Sequence, residues 1–256
     1  MTWGRVVPAA ELVRLAARRG IHVWKHVPLA RSLGEGAELC RVMDSDALKF
    51  AVGTTRRFTS SYRKAREMLP RIGEVHLAQA HYQFDVGAEL TWRGDKAAGG
   101  GALIELGYHM FDLLIWLLGV PEAVYCVTGT GRLAGPSEDL PVYDSDDTAV
   151  AMLRYGGKVT ATVTVSRSYS PVSEGLTVYG QAGTLLAGAD HCELRDRKGV
   201  VLDSFDADGP PAAVFDRMIH AFVDACSGAD RYECSAWENL RTMATVDSAY
   251  LSDQTG

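Results

Sequence analysis

Glu105, His109 and Asp112 stand close together in the stretch "GGGALIELGYHMFDLLIWLLG", Gly99 to Gly119. Glu105 and His109 are related as i and i+4 and Asp112 follows three positions on. A helix would therefore stack all three on one stripe, with Trp116 completing it. A carboxylate beside an imidazole orients the ring and raises its proton affinity, which suits a general acid or base near neutral pH. The same spacing suits a local cap or pair at Glu105 beside a satisfied, half-buried histidine. Two ligands at helical spacing without a third nearby make a poor metal centre, and no metal is expected. Leu103, Leu106, Met110, Leu113 and Leu117 take the other sides of the helix and supply core.

The remainder of the chain has to position that helix. Its 256 residues are 47 % apolar and 23 % charged, enough for a real core in one large or two small domains. A net charge of −6 does not favour a nucleic-acid partner. Basic clusters such as Arg63-Lys64-Ala65-Arg66 read as a solvated helix face. The five cysteines, Cys40, Cys126, Cys192, Cys226 and Cys234, are odd in number and lack a CxxC pattern. They predict reduced thiols in a soluble, cytoplasmic protein, with neither a disulfide frame nor a zinc site. No apolar run is long enough to span a bilayer and the N-terminus lacks a signal peptide's apolar core, so no membrane partner is expected.

Two styles of secondary structure succeed each other. Pro8 to Gly20 reads as an amphipathic helix opened by proline and closed by glycine. A strand in "IHVWKHVPLA", a helix in "SLGEGAELCRVMDSD", a strand in "LKFAVGTT" and a helix in "SSYRKAREMLPRIG" give the rhythm of a parallel α/β sheet. From "EVHLAQAHYQFDV" onward the pattern alternates. Short strands with glycine-rich turns come after the 102–118 helix and imply an antiparallel sheet, closed by two amphipathic helices. The boundary falls at 70–75, dividing the chain into 1–72 and 73–256.

Several motifs, in order, resemble the Gfo/Idh/MocA oxidoreductases, the family of glucose–fructose oxidoreductase and inositol dehydrogenases. "GIHVWKHVPLARSLGEGAEL" is similar to that family's G-K-H-V-x-x-E-K-P-L-A segment, and "VGTTRRF" to its V-G-x-x-R-R-F strand. "WRGDKAAGGGALIELGYHMFDLLIWLLG" resembles its W-R…G-G-G-x-L-x-D-x-G-x-H-x-x-D helix. "DDTAVAMLRYGGKVTATVTVS" and "GLTVYGQAGTL" resemble strands and a turn of its C-terminal sheet. The resemblance implies an α/β plus α+β chain. Residues 1–72 would be part of a Rossmann-like nucleotide-binding domain, a truncated parallel sheet equivalent to strands 4–6. Residues 73–256 would form the substrate and oligomerisation domain, an open, mostly antiparallel sheet with flanking helices. It further implies oxidation or reduction of a sugar, cyclitol or similar hydroxylated substrate with NAD or NADP, and a homo-oligomer built through the C-terminal sheet. His109 falls on the catalytic histidine and Glu105 where the family usually has aspartate. Pro28, Arg56, Arg57, Trp92 and Arg93 fall on cofactor-side motif positions. Tyr108 and Asp112 flank the site as candidates for substrate hydroxyls or for structural roles.

Two departures stand out. The family's catalytic lysine precedes the proline of E-K-P, whereas His26 and Val27 precede Pro28 here. On an extended strand positions 25 and 27 share a face, so Lys25 is the candidate replacement and His26 should point away. The chain also opens near the family's fourth strand, around "WGRVVP". It has no G-x-G-x-x-G after a strand to seat a pyrophosphate. Weak or absent NAD(P) binding is expected, together with an exposed strand edge that needs a partner chain unless the recorded sequence starts late. Three functions stay open. They are a Gfo/Idh/MocA-type oxidoreductase, a redox-inactive binding or assembly subunit, and a non-redox lyase or epimerase using Glu105 and His109.

Overall fold

Apolar positions three and four apart, with a glycine at the far end, make helix α1 (Val6–Arg18), which Gly20 closes at φ +67°. This is a computed structural model, and it describes residues 6–86, 91–131, 143–207, 213–228 and 232–256. Strand β1 (Val23–His26) pairs in parallel with β2 (Phe50–Gly53), joined across helix α2 (Leu33–Ser45) as a β-α-β crossover. These two strands are the whole parallel sheet among the described residues, fewer than the strand 4–6 equivalents expected. The strand expected around "WGRVVP" lies partly outside the described residues, and Val6–Pro8 belongs to α1. A 3-10 turn (Thr55–Phe58), helix α3 (Ser60–Met68) and a second 3-10 turn (Leu69–Ile72) lead to Gly73, where the architecture changes.

Beyond Gly73 the alternating segments form one eight-stranded sheet in the order β10-β9-β8-β7-β3-β6-β5-β4. Its strands are β3 (Val75–Asp85), β4 (Ala123–Gly129), β5 (Thr148–Tyr155), β6 (Val159–Ser166), β7 (Ser168–Gly180), β8 (Gly183–Ala187), β9 (His191–Asp196) and β10 (Val201–Asp206). Every neighbouring pair is antiparallel except β3–β6. Along β5, Ala149, Ala151 and Leu153 are buried while Val150, Met152 and Arg154 face out, the period of two that a half-covered sheet requires. Helices α4 (Tyr108–Leu118) and α6 (Ala236–Thr255) belong to the covered side, and helix α5 (Ala213–Cys226) packs near the Thr55–Phe58 turn. Helix α6 also packs on α2, so one apolar core runs across the change of architecture at Gly73. No described helix is long and apolar enough to cross a membrane.

The glycine run before α4 has a steric cause. Gly101 sits at φ +147°, and a Cβ there would stand 2.5 Å from Asp146 Oδ1 and against the Tyr250 hydroxyl. Asp146 is fixed at that distance because it accepts the Leu103 N–H at 2.7 Å and the Tyr250 O–H at 2.8 Å. The helix then opens with a π-helical turn, Leu103–Gly107, before settling into α4.

Candidate active site

The π-helical turn decides where Glu105 goes. One hydrogen-bonded ring there holds an extra residue, so the i, i+4 stripe assumed from the sequence is interrupted between Glu105 and His109. The Glu105 carboxylate is taken by two arginines: Arg93 Nε donates to Oε1 at 2.8 Å, and Arg167 Nη2 donates to Oε2. The expected orienting bond to His109 is not made. Arg167 is fully buried and also donates to the carbonyls of Arg93 and Gly101, at 2.8 and 2.7 Å. Sequence reasoning missed it, because a lone arginine after a strand carries no motif.

His109 lies in the wall of a cleft of about 930 Å³ and is 6 % exposed. Its Nδ1 is enclosed without a hydrogen-bond partner, which leaves Nε2 as the nitrogen that opens on the cleft. Burial, then the charge of Arg56, then His26 push its pKa well below the ordinary histidine value. The sequence led us to expect the opposite, a neighbouring carboxylate raising it. The ring is neutral at pH 7, with a lone pair available at one nitrogen.

The Arg56 side chain enters the same cleft from the Thr55–Phe58 turn. It makes a two-point pair with Glu174, at 3.1 and 2.5 Å, and its guanidinium stands 4.5 Å over the Tyr82 ring. Tyr62 donates to the same carboxylate at 2.9 Å. Arg93 and Glu105 line the cleft too, already paired to each other. Two of the three arginines of the wall therefore carry their own counter-charges, while Arg217 donates to the Phe58 carbonyl at 3.0 Å.

Other expected site residues stand elsewhere. Lys25 does not line the cleft; its ammonium folds back along the chain and donates to the carbonyls of Pro28 and of Leu29, the latter at 3.2 Å. His26, expected to point away, lines the cleft with Val27 and Pro28. The pairing of β1 with β2 stops at His26 and Gly53, so strand alternation no longer governs the residues beyond it. Arg57 and Asp112 form a buried pair with each other, at 2.8 and 2.6 Å, leaving neither for cofactor or substrate. Tyr108 is fully buried and donates to Asn239 Oδ1 at 3.0 Å, so it cannot meet a substrate hydroxyl. Trp92 falls in a 3-10 turn (Thr91–Gly94), but its side chain lies outside the described residues. Among the described residues no cluster of three or more histidines, cysteines or carboxylates is arranged to hold a metal ion.

A dinucleotide finds no pyrophosphate seat in the described β-α-β unit. The N-terminus of α2 is closed by its own acceptors: Ser32 Oγ takes the Glu35 N–H at 3.3 Å and Asp247 takes the Leu33 N–H at 2.8 Å. Glu35 adds a negative charge in the first turn. Of the glycines nearby, a Cβ on Gly36 would meet Leu29 at 2.9 Å and one on Gly53 would meet Trp24 at 2.6 Å, while Gly34 faces open space. These residues do not fit a dinucleotide's phosphates.

Comparison with known proteins supplies the family. Residues 62–186 match the model of the GFO/IDH/MocA C-terminal domain. The chain is 26 % identical over 260 residues to D-xylose 1-dehydrogenase (NADP(+)) 2 of Haloferax volcanii, covering 96 % of this chain and 75 % of that protein. It is 25 % identical over 223 residues to levoglucosan dehydrogenase of Pseudarthrobacter phenanthrenivorans, covering 78 % of this chain but only 56 % of the relative. Its fold matches levoglucosan dehydrogenase in complex with NADH and levoglucosan with a TM-score of 0.90 at 19 % identity, over 98 % of this chain and 76 % of the other. Residues 62–186 thus form a GFO/IDH/MocA C-terminal domain, and the small parallel sheet with the large, mostly antiparallel one gives the chain the fold of levoglucosan dehydrogenase.

Proposed function

We propose that this chain carries the substrate cleft and the proton-handling residue of a dehydrogenase for sugars, cyclitols or similar polyols, a class to which relatives named for NADP(+) or solved with NADH belong. One observation carries the reading. The neutral His109 imidazole, its Nδ1 without a partner, opens on a cleft whose lining arginines Arg56 and Arg93 each hold a carboxylate. His109 Nε2 accepts a hydroxyl's hydrogen bond and then its proton, with the Tyr82 ring edge-on beside it at 6.3 Å. The relatives named for xylose and levoglucosan support the substrate class. No step is assigned to the nicotinamide, because the described residues do not seat its phosphates.

A purified sample of the 256-residue chain, titrated with NADH and with NADPH and followed by nicotinamide fluorescence, tests the reading. Saturable micromolar binding supports a dehydrogenase. Polyol binding with no nucleotide response favours a redox-inactive binding subunit instead. The lyase or epimerase alternative needed a Glu105–His109 dyad, and the arginines holding Glu105 remove its support. The five cysteines are unpaired, which fits a reducing, cytoplasmic setting.

The proposal includes a homo-oligomer joined through the open face of the large sheet. Tyr125 stands opposite Met152 and Val127 opposite Val150 on that face, each roughly half exposed, with the threonines of β6 beside them. A Met152→Glu chain should sediment as a monomer if this face is the interface. Unchanged sedimentation of that variant would remove the oligomer from the proposal.

A further inference from the structure

We propose that the outer part of the cleft is a second sugar subsite, built on Asp190 and Arg217. The substrate is then a disaccharide rather than a single ring. The proposal rests on the polyol reading of the cleft and extends it away from His109.

Size is the first argument. Sites for small molecules enclose about 300–1,000 Å³, and at about 930 Å³ this cleft stands near the top of that range. A single pyranose is smaller than the drug-sized ligands that such a volume encloses. The wall also changes character away from His109. His26 touches both regions, its ring 6.3 Å from that of His109 and 6.2 Å from that of Phe215. Phe215 and Val172 line the cleft and are exposed, apolar surfaces of the kind that receives the C–H face of a sugar ring.

Charge is the second argument. Among the ionised side chains of the wall, Arg56 is matched by Glu174 and Arg93 by Glu105. Asp190 and Arg217 line the same cleft and form no ion pair among the described residues, with each other or with a third group. Being opposite in sign, they leave no net charge for a ligand to neutralise, which suits hydroxyls better than an ion. A carboxylate only accepts hydrogen bonds and a guanidinium only donates them, while a hydroxyl does both. Different hydroxyls of one ring therefore serve the two side chains.

Both side chains stand on fixed backbone. Asp190 belongs to the turn between β8 and β9, which the Gly188 N–H closes on the His191 carbonyl at 2.7 Å. The Ala207 N–H donates to the carbonyl of Asp190 itself at 2.6 Å. The hydroxyl of buried Ser61, on α3, lies 2.6 and 3.0 Å from the carbonyls of Gly188 and Ala189. Arg217, on α5, donates from Nε to the Phe58 carbonyl at 3.0 Å, which holds its stem and leaves both terminal nitrogens for a ligand.

The test is an NMR titration of the full chain that follows the His109 side chain. Xylose is compared with xylobiose, and glucose with cellobiose and maltose. The His109 resonance is assigned by its loss in a His109→Gln chain. The expected result is that at least one disaccharide binds about tenfold or more tightly than its own monosaccharide. Asp190→Asn and Arg217→Gln, both at exposed positions, should each cut that gain by roughly three- to tenfold, the worth of one hydrogen bond. Thermal melts check that both variants fold. Disaccharides no tighter than their monosaccharides overturn the proposal, as does a gain that survives both substitutions, and in either case the polyol reading stands. Loss of the gain when NADH is added assigns the outer region to the nucleotide and also overturns it. If His109 responds to no sugar, the polyol reading fails and the proposal falls with it.

Discussion

Replacing Asp112 with alanine removes a carboxylate that meets the Arg57 guanidinium at two points, Nε to Oδ2 at 2.8 Å and Nη2 to Oδ1 at 2.6 Å. Thr242 supplies a third bond to Oδ1 at 3.1 Å. The two charged side chains are 5 % and 1 % exposed, so water cannot take over. Arg57 then keeps the Glu233 carbonyl at 3.0 Å and the Glu238 carboxylate at 3.5 Å. Breaking a buried pair by removing one partner costs about 3–5 kcal/mol, and the distant Glu238 places this loss at the low end, about 3 kcal/mol. Against a typical folded-state margin of about 5–15 kcal/mol that is a large fraction, and it corresponds to a fall of about 6–12 °C in Tm for a chain this long.

Urea denaturation followed by far-ultraviolet circular dichroism measures the loss as a lower midpoint at unchanged m. The pair also has a positional job, because it clamps the Thr55–Phe58 turn to α4 and so sets where Arg56 enters the cleft. Replacing both partners, Arg57→Met with Asp112→Leu, removes both charges and should recover most of the stability. A fall below about 1 kcal/mol for Asp112→Ala would refute the reasoning, as would a double variant no better than the single one. A sugar-binding Asp112, by contrast, predicts intact stability with lost polyol binding.

Burial pushes the Lys25 pKa down to about 8, with Glu35 opposing. The unfolded chain therefore binds more protons than the folded one above that pH, and stability should rise from pH 8 towards about 10 by roughly 2–3 kcal/mol. A Lys25→Met chain should lose that rise in urea titrations across the same range; an equal rise in both proteins rules the lysine out. Gly101→Ala should destabilise by about 1–3 kcal/mol, because its Cβ meets Asp146 and Tyr250 at a positive φ. Gly129→Ala, which faces open space, is the matched control in the same thermal melts.

Elements with a strong period were legible. Helix α2 and strands β3, β5 and β6 fall close to where alternation and capping put them, because burial on one face writes itself into the order of side chains. The first half of β7 was not legible. Ser168 to Val172 are all exposed, so no period marks them, and they are held by pairing with β3 through an irregular register at Gln83 and Asp85.

The candidate site was legible in its residue types more than in its contacts. His109, Glu105, Arg56, Arg93 and Pro28 were all found from the sequence and all line one cleft. The pairings were not, because each joins distant parts of the chain: Glu105 to Arg167, Arg56 to Glu174, Arg57 to Asp112. A π-helical turn has no side-chain signature either, since it shifts backbone hydrogen bonds while leaving the apolar pattern in place.

That turn bears directly on the chemistry. A carboxylate bonded to His109 would stabilise the imidazolium and make the ring an acid at neutral pH. With Glu105 committed to Arg93 and Arg167, nothing offsets the burial of the ring or the nearby charge of Arg56, and both favour the neutral form. In the proposed function the neutral ring is the form that accepts a hydroxyl's hydrogen bond, while the same burial and charge make it a weaker base than a free imidazole. Arg167 is the piece that makes this possible. Bonded at once to Glu105 and to the carbonyls of Arg93 and Gly101, it holds the Thr91–Gly94 turn, the glycine run and the carboxylate as one unit away from the imidazole. The neutral state of His109 is thus set by what its carboxylate neighbour is prevented from doing.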